Sequence, residues 1–134
     1  SSYRMIYMKS ETLQGKLNTF HKAFGHPTDA VYPPVILNDT KALRIKLIQE
    51  EFAEVMDAVY YKKDEASILK ELCDLVYVCV GFADTFGWNF DVAFNRVHAS
   101  NMSKLGKDSK PLYRNDGKIL KSDQYREPSL KNLT

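Results

Sequence analysis

Apolar residues near the start of the chain recur every three or four positions, at Leu13, Leu17, Phe20 and Phe24. That spacing predicts a helix from Ser10 to Phe24, stopped by Gly25 and Pro27. The stretch HPTDAVYPPVILND then predicts a loop, because Pro33-Pro34 cannot continue a helix and Asp39 or Thr40 can cap the next one. A second helix is expected from about Thr40 to Tyr61. Its residues Ile48, Phe52, Val55, Met56 and Val59 fall within about 100° on a helical wheel and predict its core face. The polar turn KKDEA, with Asp64 as N-cap, opens a third helix that runs to about Phe86, where Gly87 supplies a left-handed exit. Within it LVYVCVGFA is apolar all round, the pattern of a helix buried on most sides. Asn89 or Asp91 can cap a fourth helix ending near Lys104.

After Gly106 the pattern changes. Two short apolar-bearing segments flank Asn115-Asp116-Gly117, which predicts a small hairpin, and the aperiodic SDQYREPSLKNLT is expected to be irregular. The elements together predict an all-α bundle of four to five helices with a short C-terminal hairpin. A length of 134 residues suits one domain, with a helical core over about 10–105 and a basic hairpin and tail over 106–134.

Composition narrows the class without naming a function. Hydrophobic residues at 44% and charged residues at 27% are those of a globular protein, and no uncharged run reaches the roughly 20 residues of a membrane span. SSYRMIYMKS has no apolar segment ending in a small-residue cleavage site, so the expected location is cytoplasmic. Cys73 and Cys79 point about 120° apart on one helix and are read as buried, unpaired thiols. Phe24, Trp88 and His98 are read as structural. The net charge of +2 and an acidic centre make a poor nucleic-acid footprint, although the last forty residues collect many of the cations.

The candidate chemistry lies in the acids. Glu51 and Glu54 sit on the flank of the second helix's apolar stripe, in a sector shared with Leu47 and Ala58, while Glu71 and Asp74 repeat the three-residue offset in the third helix. Such an offset aims two carboxylates the same way, and the short YYKKDEAS connection makes the helices antiparallel neighbours whose pairs can face each other. Four carboxylates in a partly dry space repel unless cations share it, and hard oxygen donors suit Mg²⁺ or Mn²⁺. A di-iron bundle would want Glu-x-x-His motifs, which these helices lack. The bland alternative is a solvated acidic face with pairs such as Lys46 and Glu50.

Glu50-Glu51-x-x-Glu54 followed by Glu71-x-x-Asp74 resembles the signature of the all-α nucleoside triphosphate pyrophosphohydrolases, which include MazG, the dimeric dUTPases and phosphoribosyl-ATP pyrophosphohydrolase. FHKAFGHP and the block VHASNMSKL with KPLYRNDGKILK are similar to MazG-like proteins of bacteria and phages, so the resemblance covers about Phe20 to Pro128. It implies Mg²⁺-dependent hydrolysis of (d)NTP between the α and β phosphates, giving a monophosphate and pyrophosphate. Glu51, Glu54, Glu71 and Asp74 would hold Mg²⁺, with Mn²⁺ able to substitute. Glu50, Glu51 and Glu54 would serve catalysis. Asn101, Lys104, Lys110, Tyr113, Arg114, Lys118 and Lys121 would clamp the phosphates, from the same or a neighbouring subunit, and His21 would bond a base edge. The phage-like tail favours deoxynucleotides. A phosphoribosyl-ATP or dUTP-specific enzyme and a non-catalytic metal-binding scaffold are the alternatives. Tyr60, Tyr61, Tyr77, Phe82 and Phe86 are more aromatic surface than one small bundle hides, which predicts a homodimer or homotetramer.

Overall fold

A computed structural model describes residues 11–29 and 34–134. It contains α1 (Leu13–Ala23), α2 (Pro34–Tyr60), α3 (Glu65–Thr85) and α4 (Phe90–Met102). Strands β1 (Leu112–Tyr113) and β2 (Ile119–Leu120) and a 3₁₀ turn, Lys131–Leu133, follow. The expected all-α bundle with a terminal hairpin is therefore present. The strands pair antiparallel with Leu112 opposite Leu120, across a turn in which Gly117 adopts φ +88°.

Local chemistry sets the helix ends. Thr12 caps α1 by accepting a hydrogen bond from the Gly15 N–H at 3.0 Å, whereas Ser10, the expected start, lies outside the described residues. Asp64 caps α3, accepting from the backbone N–H and hydroxyl of Ser67. Asn89 rather than Asp91 caps α4. The expected start of α2 was wrong: the helix opens at Pro34, so Asp39 and Thr40 lie inside it rather than capping it. Proline at a first helical position forfeits no hydrogen bond, since that N–H has no intrahelical acceptor. Pro33 lies outside the described residues.

Helices α2 and α3 form an antiparallel hairpin with one register along its seam. Arg44 donates to the Val78 carbonyl and lies against Gly81, where an added Cβ would fall 2.2 Å from its Nη2. Seven residues on from each, Glu51 meets Asp74. The seam thus runs through the flank of α2, and Ala58 on that flank is 3% exposed. The apolar stripe predicted as core is turned away from α3: Phe52 is 53% exposed, Met56 and Val59 are exposed, and Ile48 and Val55 are half-buried. The first half of α3 is likewise open at Leu69 and Leu72, and within LVYVCVGFA, expected to be buried on most sides, Val76 and Tyr77 are exposed and full burial is reached only from Val80, with Phe82 half-buried.

The core sits where α1, α4 and the end of α3 meet, around Leu17, Val80, Ala83 and Phe86. Phe86 is buried and stacks on Trp88, which leaves it out of the surface aromatics predicted for it. Phe24 and His98, read as structural, are exposed, as is Cys73; Cys79 is half-buried. Buried polar side chains tie the elements together. Gln14 donates to the Trp88 carbonyl and accepts from the Phe90 N–H. Gly87 ends α3 at φ +68°, and any side chain there would collide with Asp29, so the close approach and the left-handed turn both require glycine.

The tail is more ordered than its aperiodic sequence predicts. It runs back along α4: Ser122 donates to the Leu105 carbonyl, Ser100 to that of Arg126, and Arg96 to that of Ser129. Leu133 is buried, and its carbonyl accepts from the Asn89 N–H at the start of α4. Three of these anchors are side chain to backbone contacts and the last is backbone to backbone, and neither kind leaves a periodic trace in a sequence.

Candidate metal centre

Facing turns of α2 and α3 bring Glu51, Glu71 and Asp74 together, with one carboxylate oxygen of each within 4.8 Å of the others, and all three half-buried. Helical geometry explains the triad. Glu71 and Asp74 are three residues apart and share a face, while the flank position of Glu51 is the one the seam turns towards α3. Glu54 is not brought into the triad. It is exposed and, with Asp57, Tyr61, Lys63, Ser67 and Glu71, lines a neighbouring groove of about 390 Å³. Glu50 is exposed as well.

A cation already serves the cluster. Lys70 Nζ lies 2.6 Å from Asp74 Oδ2 and 3.5 Å from Glu71 Oε1, and the Asp74 bond raises the lysine's pKa. Sequence reading missed it, although the i,i+4 spacing of Lys70 and Asp74 was a usable signal. Burial raises the pKa of Glu51, and the charges of Asp74 and Glu71 push it further up. The donor set fits a small hard cation. Around one Mg²⁺ adjacent ligand oxygens lie about 3 Å apart and opposite ones about 4.2 Å, so the three side chains would draw further together on a bound ion.

The raised Glu51 pKa yields a signed prediction for metal-free protein. A carboxyl with a raised folded-state pKa is stabilising in its protonated form, and that contribution is lost as pH rises through the folded value. With EDTA, Glu51→Gln is expected to melt above the wild type at neutral pH, with the gap closing as pH falls to the ordinary carboxyl value of 4.5. Melting curves across pH check it; a variant less stable than wild type at neutral pH contradicts the sign.

The other candidate residues are placed less centrally. His21 is 1% exposed, with Nδ1 2.8 Å from Asp84 Oδ2, so in this chain it anchors the core instead of meeting a base edge. Asn101 is exposed near the end of α4 and Lys104 is half-buried just beyond it. Among the described residues α4 packs on α1, α3 and the terminal turn, not on α2, and the hairpin strands touch only each other. Lys110, Tyr113, Arg114, Lys118 and Lys121 are therefore not gathered over the carboxylates by contacts of the hairpin strands with the helices. Arg114 is ion-paired with Asp116, and Lys121 lies over the Tyr125 ring.

An antiparallel helix pair carrying clustered carboxylates in an all-α bundle is the architecture of the site, and comparison with known families agrees with that fold. The family model for phosphoribosyl-ATP pyrophosphohydrolase matches residues 17–101, and the chain belongs to that family. It is also similar to Uncharacterized protein L479 of Acanthamoeba polyphaga mimivirus, at 32% identity over 97 residues. That alignment covers 70% of this chain and 36% of the viral protein, so the chain spans about a third of the curated relative it matches.

Proposed function

We propose that the protein is a Mg²⁺-dependent nucleoside triphosphate pyrophosphohydrolase acting on dNTPs, with Glu51, Glu71 and Asp74 as the metal ligands. The observation that carries the reading is the three-carboxylate cluster across α2 and α3 in a chain of a pyrophosphohydrolase family. A bound Mg²⁺ supplies charge neutralisation for the phosphates and a more acidic water. The carboxylates hold the cation and fix its position relative to the helices, and Glu54 in the adjoining groove, with Glu50, orients the attacking water. No Ser, Cys or His nucleophile is needed, because phosphoryl transfer depends mainly on positioning and electrostatics.

Asn101, Lys104 and the basic hairpin act on the phosphates from a second copy of the chain. Support comes from the exposed Phe52, Met56 and Val59 on α2 and Leu69, Leu72 and Val76 on α3, an apolar surface that one chain leaves open. The reading includes a single domain, a homodimer or homotetramer, a cytoplasmic location and no nucleic-acid partner. No described helix is long and apolar enough to cross a membrane. Phosphoribosyl-ATP is the second substrate to test, favoured by the name of the family.

Pyrophosphate release from the eight common NTPs and dNTPs, with Mg²⁺, Mn²⁺ or EDTA, tests the activity. Metal-dependent release led by dNTPs is the expected result. Release from phosphoribosyl-ATP alone replaces the substrate, and metal binding without release from any of these substrates leaves the scaffold reading.

A further inference from the structure

Two helical turns from the carboxylates, a cavity of about 440 Å³ opens between the end of α1, the start of α2 and the end of α3. Leu43, Leu47 and Pro27 give it apolar walls, and Thr40, Arg44, His26 and Thr85 add polar groups. Its volume lies in the range of small-molecule sites, and a few polar groups in an apolar setting are what fixes a ligand's orientation.

Arg44 is the unusual member. It is half-buried, it makes one hydrogen bond among the described residues, to the Val78 carbonyl at a long 3.3 Å, and its Nε–H is shielded from solvent with no acceptor. Burial lowers its pKa against the opposing attraction of Asp84. A half-buried guanidinium is costly unless its N–H groups find acceptors, and a ligand in the cavity that Arg44 lines can offer one to the part of the fork that reaches it. The seam sets the spacing. Arg44 and Glu51 are seven residues apart in α2, as are Gly81 and Asp74 in α3, which separates the cavity from the carboxylates by about 10 Å along the axis. That span matches the reach of a nucleoside monophosphate from its phosphorus to the far edge of its base.

We infer that this cavity is the nucleobase site, and that Arg44 selects bases presenting a ring carbonyl. The inference rests on the pyrophosphohydrolase reading for the placement of the phosphates. The base lies between Leu43 and Leu47 while Arg44 donates to its carbonyl. Uracil, thymine, cytosine and guanine offer that acceptor; adenine does not.

Leu43→Trp and Arg44→Lys test it in steady-state kinetics with dUTP and dATP. Leu43 is exposed, so the tryptophan fills the cavity without disturbing the core. It is expected to raise KM for dUTP by about tenfold or more with kcat nearly unchanged, the signature of lost ground-state binding. Arg44→Lys keeps the charge but not the fork, and is expected to collapse the preference for dUTP over dATP. An unchanged KM in Leu43→Trp, or an unchanged preference in Arg44→Lys, overturns the inference while leaving the pyrophosphohydrolase reading standing. If wild-type protein hydrolyses no nucleotide, that reading fails separately, and titration of dUMP and dAMP against wild type and Leu43→Trp decides the cavity. Tighter dUMP binding that Leu43→Trp weakens supports it, and equal or absent binding overturns it.

Discussion

Glu51→Gln is expected to lower metal-dependent pyrophosphate release by about a thousandfold or more, corresponding to the several kcal/mol a bound metal contributes to transition-state stabilisation. Of the triad, Glu51 alone comes from α2, so its loss leaves Glu71 and Asp74 as a two-carboxylate site whose charge Lys70 already halves. The substitution keeps the side chain's shape and removes a charge, so the metal-free fold persists. Turnover and Mn²⁺ titration measured on the same sample separate the possibilities. Full turnover in Glu51→Gln sinks the metal assignment, and lost turnover with unchanged Mn²⁺ affinity moves Glu51 from ligand to base.

Asp84→Ala is expected to be the most destabilising single change, at about 3–5 kcal/mol, because it leaves charged or polar partners buried without their counterpart. Asp84 is fully buried and binds His21 on α1 at 2.8 Å and Asn18 at 3.4 Å, while its charge attracts Arg44 on α2. Its backbone carbonyl also accepts from the Asp29 N–H, which ties in the loop after α1. One residue therefore links three helices. The expected melting temperature drops on the order of 10–20 °C for a domain of this size. Asp84→Asn keeps the oxygen facing His21 and loses less. Equal melting of Asp84→Ala and wild type would show that the pair contributes no net stability.

Helix number, the α3 and α4 caps and the pairing of the candidate carboxylates Glu71 and Asp74 were legible in the sequence, because each depends on spacing within one helix. Glu71 and Asp74 share a face whatever surrounds them. What depends on the neighbour was not legible. The stripe of Phe52, Met56 and Val59 has the period of a core face, yet α3 packs against the flank that holds Arg44, Glu51 and Ala58. Periodicity identifies an apolar face but not its partner. The same limit applies to His21, whose pairing with Asp84 spans 63 residues and leaves no local pattern.

Lys70 changes what the carboxylate site would need from a metal. Three half-buried carboxylates would otherwise spread apart in metal-free protein, and gathering them would oppose each binding event. With the ammonium already bonded to Asp74 and near Glu71, the acids are assembled as the chain folds. On the proposed reading, metal entry would be an exchange of one cation for another at a preorganised anionic centre. The displaced lysine would stand in solvent on the rim of that centre, where its free charge could meet an incoming polyphosphate.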